Sequence, residues 1–306
     1  MQESNIDYLT HTWNPIAMRC TRCSDGCLHC WHLKMCDRLM KNPLIINEFK
    51  NAYGGAIPPV LIHNEIDAPA HLRDPAVIGV QFMGDLFHEA VPDYVQIKII
   101  STIMDCSKHI FLLLTKRPKR MEAHTNFYYI STDRNHKNRR IKPPVNIWHG
   151  LTICHQQEAN EKIPIFLQVP GKKFLSIEPM LGPIDLHDYL WKHFSKRDRA
   201  WAMAGDIDAV ILGGESGPGA RQMHPDWVRS VRDQCAAAGV PFFFKQWGEY
   251  CQMDQLADDI AGVRCSEIIK CGRRKAGRLL DGRTHDDLPW LKQEQGALLE
   301  EEDSGD

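Results

Sequence analysis

Cys20-Thr-Arg-Cys23-Ser-Asp-Gly-Cys27-Leu-His-Cys30-Trp31 places four thiols within eleven residues. Residues 6–12 precede it and read as a short strand ending at Trp13-Asn14-Pro15. Behind it, Trp31 to Lys41 carries Leu33, Met35, Cys36, Leu39 and Met40 as the apolar positions of a helix. Strand, cysteine loop, helix is the opening of a βα unit. Gaps of two, three and two residues suit a thiolate-bound metal centre, zinc or iron–sulfur. Structural zinc usually takes two C-x2-C pairs about 12–20 residues apart. Only three residues separate Cys23 from Cys27, so one tetrahedral zinc would need a cramped loop. A disulfide framework belongs to short secreted chains. The spacing favours iron–sulfur.

Downstream, strand-like and helix-like runs alternate. Residues 43–76 hold Gly54-Gly55, Pro58-Pro59 and Pro69 and read as an insertion with a strand near Val60–His63. Val77 to Met83 is a buried strand, and residues 93–106 form an apolar-periodic helix. His109 to Thr115 is the next strand, with a short helix from Pro118. Asn146 to Thr152, Phe174 to Ile177, Ala209 to Leu212 and Val240 to Phe244 are further strands. Helices are expected within 155–163, over 187–196, and from His224-Pro225-Asp226 to a stop at Gly239. Continuous apolar runs alternating with helices predict parallel strands covered by helices. The expected fold class is therefore α/β, a complete or partial TIM-like barrel of about six to seven βα units. It occupies residues 1–250, a C-terminal extension over 251–295 packs on it, and 296–306 is an acidic tail.

Strand after strand ends in a polar residue. Asp85, Lys116-Arg117, Thr152, Glu178, Glu215 and Lys245-Gln246 all fall there. In a parallel barrel these ends open on one face, where barrel enzymes place their sites, and the cysteine loop joins them. Gly213-Gly214-Glu215-Ser216-Gly217-Pro218-Gly219 follows a buried strand, and its glycines let backbone come close to a ligand. It matches neither the G-x-G-x-x-G fingerprint nor a P-loop. Residues 116–120 and 134–142 are basic, with Phe127, Tyr128 and Tyr129 between them, a pattern for phosphate contact and base stacking as well as for a solvated loop. Lys270 to Arg278 is a further basic patch.

Composition narrows the rest. The chain has 306 residues, 43% apolar and 25% charged, enough for a large core, and a net charge of −2 gives no global pull towards nucleic acid or membrane. No apolar run approaches the roughly 20 residues of a transmembrane helix, and the polar N-terminus is no signal peptide. Eleven cysteines, an odd number, predict a reducing cytoplasmic setting.

Thr12-Trp-Asn-Pro15, the cysteine loop, Gly84-Asp-Leu-Phe-His88, Leu114-Thr-Lys-Arg-Pro118, Ser176-Ile-Glu-Pro179, Gly213-Gly-Glu-Ser-Gly217, Phe243-Phe-Lys-Gln-Trp-Gly248 and Ala276-Gly-Arg-Leu-Leu-Asp-Gly282 form a set of motifs along the chain. That set resembles a phage- and bacterium-encoded family of radical-S-adenosylmethionine-like proteins, over residues 11 to 289. The resemblance implies a [4Fe-4S] cluster and S-adenosylmethionine (SAM) on a barrel, with an external electron donor, but no substrate. The family pattern puts cysteines at the positions of Cys20, Cys27 and Cys30, often with an apolar residue at 23. The general radical SAM spacing, C-x3-C-x2-C, instead starts at Cys23. Either completes the cluster with Cys27 and Cys30, and four-thiol ligation would leave no open iron for SAM. Asp85 stands where such proteins contact the SAM amino group, and Glu178, Gly213, Gly214, Glu215 and Ser216 are candidates for other cofactor contacts. Lys116, Arg117, Lys245 and Gln246 are expected to hold an anionic substrate, a nucleic acid or nucleotide. The rival reading is a non-catalytic iron–sulfur or zinc protein with a nucleic-acid-binding or redox-sensing role. A metal-dependent hydrolase using Asp85, Glu178 and Glu215 is weaker, since no histidine cluster accompanies them.

Overall fold

Parallel strands need crossovers, and between Trp13 and Phe242 the chain supplies one at each step. A computed structural model describes residues 1–131, 143–190, 206–252 and 268–291. The basic stretch 134–142, the second half of the helix expected over 187–196, and the acidic tail lie outside the described residues, as do the side chains of Phe127, Tyr128 and Tyr129.

The chain opens with β1 (Gln2–Glu3), β2 (His11–Trp13) and β3 (Ile16–Ala17). After the cysteine loop come α1 (Trp31–Lys41), α2 (Asn47–Gly54) and β4 (Val60–Leu61), which pairs antiparallel with β3. The alternating part follows: β5 (Val77–Val80), α3 (Asp93–Asp105), β6 (Ile110–Thr115), α4 (Pro118–Ser131), β7 (Ile147–Thr152) and α5 (Gln156–Phe166). It continues through β8 (Lys172–Ile177), α6 (His187–Leu190), β9 (Ala209–Gly213), α7 (Pro225–Ala238) and β10 (Phe242–Gln246). A hairpin of β11 (Tyr250–Gln252) and β12 (Ile268–Lys270) and the short α8 (Arg273–Ala276) complete it. The first strand is shorter than residues 6–12, because Leu9 N–H turns back to the Ile6 carbonyl and Thr10 is the first residue to bond β5. α7 begins and stops as expected: His224 caps it through its ring nitrogen, and Gly239 leaves it at φ 66°.

One eight-stranded sheet results, in the order β1-β2-β5-β6-β7-β8-β9-β10, all parallel except β1. Each crossover from β5 onward moves one strand along in the same direction. Were the sheet flat, six steps of about 4.8 Å would hold β2 and β10 about 29 Å apart. Yet Tyr8, just before β2, meets the Phe243 ring of β10 edge-on at 5.7 Å. The sheet is therefore rolled. It is not closed: among the described residues no ladder joins β10 to β1 or β2. The C-terminal segment lies along the β10 edge instead, with Phe244 N–H donating to the His285 carbonyl at 2.9 Å and Phe243 bridging Asp286. A protected edge replaces barrel closure.

Period-two alternation separates two cores. Ile78, Leu113, Leu175 and Leu212 face outward onto Val95, Ile99 and Ile103 of α3, Ile163 of α5 and Val231 of α7. Val77, Leu112, Trp148, Phe174, Ile211 and Phe243 face inward, where Trp290 from the C-terminal segment fills the roll. Its ring lies 4.7 Å from Trp148 and 5.5 Å from Phe174, and its Nε1 donates to the Tyr8 carbonyl at 3.3 Å. Gly150 has no side chain because a Cβ there would come within 2.3 Å of the Phe174 ring. Below the plug the roll is packed, and above it the strand ends open.

Trp290→Ala should destabilise the fold by about 3–5 kcal/mol, measured by urea denaturation, since it empties the centre of the roll. At the bottom of β8, Lys173 is fully buried, and burial pulls its ammonium down to about 8 against the opposing pull of Asp208 and Asp206. The unfolded chain binds this proton more tightly, so stability should rise between about pH 8 and pH 10.5 and carry the full penalty below pH 8. Lys173→Met should then be more stable by about 1–2 kcal/mol at pH 7 and lose that rise, as read from unfolding curves across pH.

Candidate functional site

The cysteine loop is fixed from below. Ser24 Oγ accepts from Gly26 N at 3.1 Å and turns the chain, and Cys27 N–H bonds back to the Ser24 carbonyl at 2.9 Å. Gly26 then lies flat on the ends of β7 and β8, where an added Cβ would meet Cys154 Sγ at 2.4 Å. His155 reaches Asp25 at 3.2 Å, and Arg221 donates to the Asp25 carbonyl at 3.1 Å. Gly219 of the glycine-rich loop leaves room for the His29 ring, 2.8 Å from where its Cβ would be. The loop thus caps the open end of the roll.

Beneath the cap lies a cavity of about 560 Å³, within the range of small-molecule sites. Cys20, Cys27 and Cys30 line it, whereas Cys23 is exposed and does not. The nearness of the two thiols holds Cys27 down and pushes Cys23 up. Burial raises Cys20 to about 11 against the pull of Arg117. Among the described residues no three His, Cys, Asp or Glu side chains converge on a point able to hold one metal ion. The thiols ring the cap and are not drawn onto a single ion-sized centre.

Asp85 and Arg117, expected at a cofactor and a substrate, turn out to face each other. The Arg117 guanidinium donates to Asp85 at 3.0 Å, to Glu89 at 2.8 Å, to the Thr21 carbonyl at 3.1 Å and to Cys20 Sγ at 3.7 Å. Asp85 also accepts from Thr115 Oγ1 at 2.8 and 2.9 Å, from Phe87 N at 2.9 Å and from Lys116 N at 3.3 Å. Five such contacts exhaust a carboxylate that offers about four lone pairs. Both residues are nearly buried, at 4% and 7% exposure. Asp85 holds Arg117, and Arg117 holds the cysteine loop.

Glu178 and Lys245 form a second pair across the floor, Nζ to Oε2 at 2.5 Å. Burial works against the Lys245 charge, but the Glu178 carboxylate outweighs it and holds the ammonium above its usual value. Gly213 lies beside this pair, its missing Cβ 3.4 Å from Glu178 Cγ and 3.5 Å from Lys245 Cβ. A bulge at the end of β10 breaks the alternation there, and Lys245 and Gln246 both reach the cavity. Gln246 Nε2 donates to the Gly214 carbonyl at 2.7 Å. Among the described residues, Glu178 Oε1 and Gln246 Oε1 are buried acceptors with no hydrogen-bond partner. Such atoms point to a missing donor, from ligand or water.

The glycine-rich loop is occupied by the chain's own backbone. A Cβ on Gly214 would fall 2.0 Å from the Trp247 carbonyl oxygen, so a glycine is required by that close approach, and Gly214 also lines the cavity. Arg221 engages both Glu215 oxygens, at 2.7 and 2.8 Å. Ser216 remains on the cavity wall. Lys116 also lines it, and its charge is favoured by Cys154, Cys27 and Cys30 in spite of burial. Asp85, Glu178 and Glu215 are thus each claimed by a separate cation, and no shared acid corner exists for the hydrolase reading. Sequence reasoning missed Tyr8, Trp31, Phe82 and Arg273, which also line the cavity. Trp31, next to the cysteines, and Arg273, inside the basic patch from Lys270 to Arg278, carried usable signals.

Arg117→Met should cost about 3–5 kcal/mol in urea denaturation, because it leaves Asp85 charged, buried and unpaired. Arg117→Met with Asp85→Asn should recover part of that loss, and strictly additive losses would mean the pair does not act as a clamp.

No curated protein matches the chain, and no solved structure does. A family profile described as protein of unknown function (DUF5131) matches residues 3–289. The chain belongs to that family.

Proposed function

We propose that the capped cavity is the site of a radical SAM-type enzyme acting on a nucleotide-like substrate. The observation that carries this reading is that Cys20, Cys27 and Cys30 open together on a small-molecule cavity at the ends of rolled parallel strands. On this reading these three thiolates hold a [4Fe-4S] cluster, and Cys23, turned away from the cavity, does not. Soft thiolate donors fit such a cluster. With SAM bound, the cluster supplies one-electron reduction and, from it, a radical able to abstract hydrogen; the electron comes from an external donor.

What the chain's own residues do follows from the pairings. Asp85, Arg117 and Glu215 are engaged within the protein, so they position the cap and leave ligand contact to others. Glu178 Oε1 and Gln246 Oε1 offer acceptors for amino or hydroxyl groups of cofactor or substrate. Tyr8, Phe82 and Trp31 give the cavity aromatic walls suited to a base, and Lys116 and Arg273 give it positive charge for an anionic group. The nearness of Cys23 to Cys27 supports a second reading, four-thiol ligation in a non-catalytic cluster or zinc protein.

Electron paramagnetic resonance on anaerobic, dithionite-reduced protein separates these readings. A reduced [4Fe-4S] signal that changes shape when SAM is added is expected, and Cys23→Ser should keep that response while Cys20→Ser loses it. A signal indifferent to SAM would sink the enzyme reading and favour four-thiol ligation.

A further inference from the structure

Away from the cap, the fold brings another pair of thiols together. In the β11–β12 hairpin Tyr250 stands opposite Lys270 and Cys251 opposite Ile269. The ladder runs one step further, with Cys271 N–H donating to the Glu249 carbonyl at 3.0 Å. Across that diagonal Cys251 Sγ lies 3.0 Å from Cys271 Sγ. A disulfide bond measures about 2.05 Å, so the two sulfurs stand about 1 Å from bonding distance. Cys271 is partly exposed and Cys251 is buried, which makes Cys271 the thiol a reagent can reach and Cys251 the one held behind it.

We propose that Cys251 and Cys271 are a modification site, a dithiol oxidised to an intramolecular disulfide by small-molecule disulfides of the glutathione class. The Cys271 thiolate attacks one sulfur of the oxidised reagent, forming a mixed disulfide and releasing one thiolate. Cys251 then gives up its proton, and its sulfur attacks Cys271 Sγ. The protein disulfide forms and a second reagent thiolate leaves. Two protein thiols are oxidised and one disulfide is reduced to two thiols, with no other electron acceptor needed.

The position gives this bond a consequence. Glu249 lies between the hairpin and the cavity wall. Its carbonyl accepts from Cys271 and Gly272, its N–H donates to the Glu215 carbonyl at 3.0 Å, and its carboxylate accepts from Gly217 N at 2.8 Å. Arg273, two residues past Cys271, lines the cavity. The disulfide therefore staples the hairpin at the point where it holds the glycine-rich loop. This inference does not depend on the cluster reading.

The test is peptide mapping of the full chain after equilibration with oxidised glutathione, alkylation in denaturant, and digestion without reductant. A Cys251–Cys271 crosslinked peptide should appear, vanish with reduced glutathione, and be absent in Cys271→Ser. The buried, separate Cys106 and Cys235 should remain alkylated thiols in the same sample. Amide hydrogen exchange over residues 215–219 should slow several-fold in the oxidised protein and be indifferent to glutathione in Cys271→Ser. Recovery of both cysteines as thiols, a persistent glutathione adduct on Cys271, or a crosslink from Cys251 to another cysteine would each overturn the assignment.

Discussion

The ion pair of Arg117 with Asp85 is the contact on which the cap depends. It joins the end of β6 to the turn after β5, and through Thr21 it fastens a cysteine loop that has little core of its own. A buried pair of this kind is not by itself stabilising, because desolvating both charges offsets most of their attraction. Its effect is geometric. Asp85 is saturated by Thr115, Phe87 and the Lys116 amide, so the carboxylate cannot rotate, and the guanidinium it holds cannot leave the loop. His88, two residues beyond Leu86, meets the Thr21 hydroxyl at 2.8 Å and closes the same corner. A rigid cap over an open roll follows from these few bonds.

Most of the sheet is legible in the sequence, since buried parallel strands write themselves as uninterrupted apolar runs such as Phe111 to Leu114 and Ala209 to Leu212. The ends are less so. Tyr8 and Leu9 read as strand because they are apolar, yet they enter the inner core from a turn. α5 runs through Pro164 to Phe166, past the 155–163 expected from sequence. The proline falls in the last turn, where Leu167 N–H still bonds the Ile163 carbonyl, so it forfeits little. Whether the sheet closes is invisible in composition. It turns on the return of Asp286 and Trp290 to β10 and the roll, contacts hundreds of residues apart in part.

At the site, many of the residues singled out in the sequence line one cavity, and several of them are engaged with one another. A ring of charged residues at strand ends suggests ligand contact, but charges brought this close to one another satisfy themselves first. Asp85 takes Arg117, Glu178 takes Lys245, and Glu215 takes Arg221. Only the last partner is near in sequence. Gly214, expected at a cofactor, also packs closely against the Trp247 carbonyl. The cysteines are the exception. Their spacing shows that they belong together, and the register of the loop shows that Cys20, not Cys23, shares the cavity with Cys27 and Cys30.

These pairings also constrain what can enter. With Asp85, Glu178 and Glu215 each paired to a cation, the cavity presents half-satisfied acceptors at Glu178 and Gln246, and Lys116 and Arg273 also line it. The C-terminal return sets the depth. Trp290 closes the roll from below, and Trp247, whose N–H and Nε1 bond the Gly277 and Leu279 carbonyls, ties the same segment to the glycine-rich wall. Loss of the segment would therefore open the cavity at its floor and at one wall together, which makes it part of the site and not an appendage to the sheet.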